Sequence, residues 1–156
     1  MKEFLLIAGL VAIPAAGSFP QDFAGVRLDP NDPRLLRLQQ FFTKCECPLV
    51  EAAADFLMAA DQNALDWRLL PSISIIESSG GKAYRNNNVF GWDSGRLKFS
   101  TVREGIHFVA AQLSRSERYK NKTLEAKLLT YNPNPEYPHK VKAVMRALGP
   151  SDPRLN

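Results

Sequence analysis

Several kinds of chemistry are excluded by what this 156-residue sequence lacks. It has only two cysteines, Cys45 and Cys47, and its two histidines lie far from them in the sequence. Because zinc sites need several ligands at characteristic spacings, no metal site is expected. A bridge between the two cysteines would close a very small, strained ring. They are therefore expected to form either that disulfide or two free thiols, with little effect on the fold.

Phosphate-binding and nucleophile motifs are missing as well. The run Ser79-Gly80-Gly81-Lys82 is not a phosphate loop, because Ala83 follows where Ser or Thr is required. No Ser/His or Cys/His arrangement indicates a protease. The 9 glycines and 11 prolines are dispersed and no repeat is visible, so low-complexity and repeat classes are excluded. One domain without a cofactor is expected.

The first apolar run lies at the N-terminus. Lys2 is followed by apolar residues from Phe4 to Ile13 and then by small residues up to Ser18. This order is typical of a secretory signal peptide, here residues 1–18. The run is shorter than the roughly 20 residues that span a bilayer, although an N-terminal membrane anchor is the alternative. We therefore expect export to the periplasm, the cell wall or the medium, without stable membrane insertion.

The charge balance is basic, with 20 Lys and Arg against 16 Asp and Glu. An exported basic protein is attracted to polyanions such as cell-wall polymers, although solubility alone explains the charge equally well. The basic residues are scattered along the chain, so a nucleic-acid partner is not expected.

Apolar periodicity predicts a mainly α-helical protein. The expected helices cover residues 34–42, 48–63, 66–78 (with Asp66 as N-cap), 101–116, 123–129 and 135–148. Residues 82–99 show no helical period, which predicts loops with a small hairpin turning at residues 93–95. We therefore expect a leader with a short helix at 19–47, a domain at 48–149 and a tail at 150–156.

Glu77 is the strongest candidate for a catalytic residue. It lies at the end of a helix that is apolar nearly all round. Burial and the negative end of the helix dipole both raise the pKa of a carboxyl group. A general acid must hold its proton at the working pH, so this placement suits acid catalysis. The alternative is a solvated glutamate at a helix end.

Three motifs resemble those of cell-wall lytic enzymes. Ile76-Glu77-Ser78-Ser79-Gly80 resembles the end of the catalytic helix in the lysozyme-like superfamily. Asn87-Asn88-Val89-Phe90-Gly91 resembles the Asn-Asn-hydrophobe-Phe-Gly motif of the glucosaminidase family of bacterial autolysins. Tyr131 with Asn134-Pro135-Glu136-Tyr137 resembles the C-terminal Tyr motif of that family. The motifs occur in the family's order over about residues 50–147.

The resemblance implies a lysozyme-like helical domain with a small irregular or β insert beside an active-site cleft. It implies Glu77 as the acid and Tyr137 as a cleft tyrosine that assists catalysis. The implied substrate-binding residues are Asn88, Phe90, Trp92 and Tyr131. Trp92 departs from the small or aliphatic residue often found in the family, and it is expected either to stack on a sugar or to lie in the core.

The expected function is that of an endo-β-N-acetylglucosaminidase acting, as a monomer, on the glycan strands of peptidoglycan. A lytic transglycosylase or muramidase on the same fold and a non-catalytic wall-binding protein are the alternatives. Most glycosidases use a second carboxylate, for which Asp93 is the first candidate. Glu104, Glu136 and Asp61 are further candidates, and the substrate's own acetamido group is another route.

Overall fold

A computed structural model describes residues 28–152, so the expected signal peptide and parts of the leader and tail lie outside the described residues. The described part forms six α-helices and no strand, which confirms the mainly α-helical prediction. The helices are α1 (Pro33–Lys44), α2 (Ala53–Gln62), α3 (Leu69–Ser78), α4 (Val102–Arg115), α5 (Leu124–Tyr131) and α6 (Tyr137–Leu148). None of the helices in this part is both long and apolar enough to cross a membrane.

Local capping explains where several helices begin. Thr101 accepts a hydrogen bond from the backbone N–H of Glu104, whose carboxylate accepts one from the backbone N–H of Ser100. Thr123 accepts a hydrogen bond from the backbone N–H of Ala126 in the same way. These contacts satisfy donors that the first turn leaves unpaired. The starts expected for α4 and α5 are therefore confirmed.

Two local predictions are wrong in detail. The helix expected over 48–63 is split into a 3₁₀ segment, Pro48–Ala52, and α2. The second error concerns Asp66, which does not cap α3, because that helix begins three residues later at Leu69. The carboxylate of Asp66 instead binds the backbone N–H and the guanidinium of Arg68.

The hairpin expected at residues 93–95 does not form. A short 3₁₀ segment, Trp92–Gly95, lies there, and Asp93 and Ser94 within it have left-handed backbone conformations. The side-chain amide of Asn87 donates to the carbonyl of Phe99, and that of Asn88 donates to the carbonyl of Leu97. These carbonyls therefore accept hydrogen bonds from asparagine side chains and not from the backbone of a second strand. Residues 79–101 are largely irregular.

Helix α3 is largely buried and packs against α2 and α6. The indole N–H of Trp67 donates to the carbonyl of Ser151 at 3.1 Å, and the guanidinium of Arg68 donates to the carbonyl of Gly149 at 2.8 Å. These bonds join the start of α3 to the end of α6. The two helices therefore run in opposite directions, which brings the end of α3 towards the start of α6.

The turn after α3 packs closely against the segment that holds the cysteines. Both cysteines are free thiols, so the disulfide alternative does not hold. A Cβ atom added to Gly80, whose φ is +68°, would lie only 2.3 Å from the Sγ atom of Cys47. Glycine is therefore required where the chain turns away from α3.

Candidate active site

The antiparallel arrangement of α3 and α6 brings Glu77 and Tyr137 together. Glu77 lies in the last turn of α3, and Tyr137 is the first residue of α6. The phenol hydroxyl of Tyr137 donates a hydrogen bond to Oε1 of Glu77 at 2.7 Å. Tyr137 is only 3% exposed, whereas Glu77 is half-buried. Two residues 60 positions apart in the chain, each from a different motif, are thus in direct contact.

The electrostatics of Glu77 favour its protonated form. Burial raises the pKa of Glu77 above its ordinary value, and the hydrogen bond from Tyr137 offsets only part of that rise. The pKa of Tyr137 is itself raised, first by burial and then by its bond to Glu77. The phenol therefore stays protonated and remains a hydrogen-bond donor to the carboxyl group.

The segment 88–92, called loop 88–92 below, lies beside this pair. Its Asn88 side chain bonds to nearby backbone: it donates to the carbonyls of Trp92 and Leu97 and accepts from the backbone N–H of Trp92. The ring of Phe90 is fully buried and meets the ring of Phe56 at 6.2 Å. Asn88 and Phe90 therefore shape the loop from within, and their side chains are not displayed to a ligand.

Gly91 is a site residue that sequence reasoning did not single out. Its φ is +60°, and a Cβ atom placed on it would lie 3.3 Å from Oε2 of Glu77. The backbone of loop 88–92 thus approaches the oxygen of Glu77 that Tyr137 leaves free. The signal in the sequence is the final glycine of the Asn-Asn-hydrophobe-Phe-Gly motif.

A cluster of aromatic rings continues from Tyr137. Tyr131 stacks on Tyr137 with ring centroids 5.8 Å apart and planes 8° apart. Trp92 meets the ring of Tyr131 at 5.6 Å and also contacts Phe108 and Tyr119. Trp92 and Tyr131 are half-buried, so each combines packing with a partly accessible surface. Sequence reasoning missed Phe108 and Tyr119 because no motif distinguishes them from ordinary core residues.

The candidates for a second carboxylate are exposed or have other partners. Asp93 is paired with Arg96 at 2.5 Å and its side chain is 49% exposed. Glu104 caps α4 and Asp61 pairs with Arg34, while Glu136 is exposed. Within residues 28–152, no contact joins any of them to Glu77, and no carboxylate contributes to the shift of its pKa.

A metal site or a pocket near Glu77 would also determine what the protein can bind. In the part of the chain that the structure describes, no group of His, Cys, Asp or Glu side chains could hold a metal ion. A surface pocket is lined by Asp29, Asn31, Asp32, Pro33, Arg34, Ser151 and Asp152. Because Trp67, just before α3, binds Ser151, this pocket lies at the other end of α3 from Glu77.

Comparison with protein-family models and with curated protein sequences finds no match to this chain. The family resemblance of the three motifs therefore stays a prediction, and the geometry of the site has to be interpreted on its own chemistry.

Proposed function

We propose that this protein is an exported glycosidase of the endo-β-N-acetylglucosaminidase type that cuts the glycan strands of peptidoglycan, with Glu77 as its general acid. The observation that carries the proposal is the hydrogen bond from Tyr137 to Glu77. It unites a carboxyl at the end of an apolar helix with the tyrosine that the C-terminal motif indicated. No cofactor or metal enters the chemistry proposed here.

The two oxygens of Glu77 have different surroundings, which assigns them different roles. Oε1 accepts the hydrogen bond from Tyr137, and Oε2 faces the backbone of Gly91. In the proposed reaction Oε2 carries the proton and delivers it to the glycosidic oxygen as the bond to the anomeric carbon breaks. Glu77 then becomes a carboxylate, and the Tyr137 hydroxyl stabilises the new charge through Oε1.

Burial and the tyrosine act at different stages of this step. Burial raises the pKa of Glu77, which favours the protonated acid before reaction. The hydrogen bond from Tyr137 lowers that pKa, which eases release of the proton when the leaving oxygen develops charge. A half-buried acid with one fixed donor is therefore suited to protonating a weakly basic ether oxygen.

The positive charge that develops on the sugar needs a partner. We infer that the substrate's acetamido oxygen attacks the anomeric carbon, a known exception to the two-carboxylate mechanism, because the side chain that bonds to Glu77 in the described residues is a tyrosine. Water then opens the cyclic intermediate and returns a proton to Glu77. Asp93 remains the alternative for this role.

The finer features of the fold belong to the same proposal. We assign residues 48–149 to a lysozyme-like domain in which the irregular residues 79–101 form the insert beside the substrate cleft. The accessible surface of Trp92 and Tyr131 would meet the sugar rings, since aromatic faces bind the apolar faces of sugars. Export and action as a monomer on the cell wall complete the proposal.

A lytic transglycosylase is the second candidate, because that reaction also uses a carboxyl group as its acid, and Glu77 with its bond from Tyr137 suits it equally well. In that reaction a hydroxyl of the muramic sugar attacks its own anomeric carbon. No water has to be activated, so one carboxyl can act first as acid and then as base.

The experiment that tests the proposal is mass spectrometry of fragments from purified peptidoglycan digested with the protein. New N-acetylglucosamine reducing ends support the glucosaminidase. Muramic reducing ends indicate a muramidase, and anhydro ends, one water lighter, indicate the transglycosylase. If folded protein binds the wall polymer and releases no fragments, the enzymatic proposal is wrong and a binding protein takes its place.

A further inference from the structure

The motif resemblance groups Tyr131 with substrate-binding residues, but its polar atom is already engaged. The hydroxyl of Tyr131 donates to the backbone carbonyl of Phe90 in loop 88–92. Burial raises the pKa of this phenol well above its ordinary value, so the hydroxyl remains a donor over the working pH range. Its ring is held between Tyr137, on which it stacks, and Trp92, which it meets at a steep angle.

The carbonyl that Tyr131 holds belongs to the residue before Gly91. On one side, the Phe90 ring is fixed in the core against Phe56. On the other side, the backbone of Gly91 passes close to Oε2 of Glu77. A shift of the peptide between these two residues would therefore change the gap beside the carboxyl group and the access of water to it.

We propose that Tyr131 is a positioning residue, which fixes loop 88–92 against Glu77 by holding the Phe90 carbonyl and does not bind substrate through its hydroxyl. This inference rests on the proposed function for its catalytic consequence, but the link between loop and carboxyl can be measured without substrate. Among the described residues, Tyr137 and Tyr131 are the titratable groups that interact with Glu77.

The test compares the wild-type protein with Tyr131→Phe, which keeps the ring and removes only the hydroxyl. The pKa of Glu77 is followed through its carboxyl carbon by NMR. In Tyr131→Phe the loop loosens and water reaches Glu77, so the Glu77 pKa should fall towards its ordinary value. On peptidoglycan, kcat should fall about 10- to 100-fold, since misplacement by about 1 Å can cost that much, while KM changes little.

Tyr119→Phe is the matched control, because Tyr119 is buried in the same aromatic cluster and contacts Trp92 without bonding to the Phe90 carbonyl. It should leave the Glu77 pKa unchanged. A second variant, Gly91→Ala, disturbs the same loop with Tyr131 intact and should also shift the titration of Glu77.

A Glu77 that titrates in Tyr131→Phe as it does in the wild type would overturn the inference, and a shift in Gly91→Ala alone would mean that the loop affects the carboxyl group without Tyr131 holding it. The same holds if Tyr131→Phe raises KM and leaves kcat and the Glu77 pKa unchanged, since the tyrosine would then bind substrate. If the wild-type protein does not cut peptidoglycan, the proposed function fails, whereas the titration still decides whether Tyr131 positions the loop.

Discussion

Replacing Gly91 with alanine tests the close approach between loop 88–92 and the acid. Gly91 has a φ of +60°, and the added Cβ atom would lie 3.3 Å from Oε2 of Glu77. The left-handed conformation costs a residue with a Cβ atom roughly 1–2 kcal/mol. The contact itself costs little more in stability, because a displacement of a few tenths of an ångström relieves it. We expect the main effect of Gly91→Ala to be a slower reaction.

The catalytic effect follows from where that Cβ atom lies. A glycosidic oxygen must come within about 2.6–3.2 Å of the acid to receive its proton. The methyl group of Gly91→Ala occupies the space on the Oε2 side, so we expect turnover to fall on the order of 10²-fold, as for a misplacement of about 1 Å. Clearance of a suspension of purified peptidoglycan measures the rate, and urea unfolding measures the stability.

Gly95→Ala is the matched control for this prediction. Gly95 also has a positive φ, +77°, but a Cβ atom added there meets no other atom within 4 Å. The two variants should lose similar stability, and only Gly91→Ala should lose activity. If the two variants clear peptidoglycan equally fast, the backbone of Gly91 does not border the reacting oxygen, and the assignment of Oε2 as the proton donor is wrong.

Three further predictions concern the charges at the site. Tyr137→Phe removes a bond that lowers the pKa of Glu77; the alkaline limb of the pH–rate profile should move to higher pH, and kcat should fall about tenfold, the lower end for a bond to a charged group. Asp93→Asn should keep most of the activity in the same clearance assay, because Asp93 is exposed and paired with Arg96; a loss as large as that of a Glu77 variant would make it the second carboxylate. The third prediction concerns stability. Because burial raises the folded pKa of Glu77 above 4.5, its stabilising contribution is fully present below about pH 4.5 and is lost as the pH rises through the folded value. Urea unfolding of Glu77→Gln should therefore show its stability rising relative to wild type from about pH 4 to about pH 7; a constant difference would contradict the pKa shift.

Much of the fold was predictable because helical periodicity and capping are local. Thr101 and Thr123 cap the helices that follow them, as expected, and α3 ends at Ser78 before the glycine-rich turn. The prediction of a hairpin at residues 93–95 was wrong because a turn sequence alone does not show which groups will donate hydrogen bonds to the backbone carbonyls beside it. Asn87 and Asn88 provide those bonds through their side chains.

The candidate site was predictable residue by residue but not as an arrangement. The position of Glu77 at the end of an apolar helix indicates burial, and burial is the first cause of its raised pKa. Its contact with Tyr137 depends on the antiparallel packing of α3 and α6, which no local pattern contains. The same is true of the bond from Tyr131 to the Phe90 carbonyl, which engages the hydroxyl of this residue inside the protein.

In the proposed reaction, the carboxyl group of Glu77 delivers the proton that breaks the glycan strand. The most direct test is to compare wild-type protein and Glu77→Gln for release of soluble fragments from purified peptidoglycan, after circular dichroism has established that both are folded. We expect fragments from the wild type and none above background from Glu77→Gln, since glutamine keeps the shape of the side chain and has no acidic proton. Fragment release by Glu77→Gln at the wild-type rate would contradict this role for Glu77.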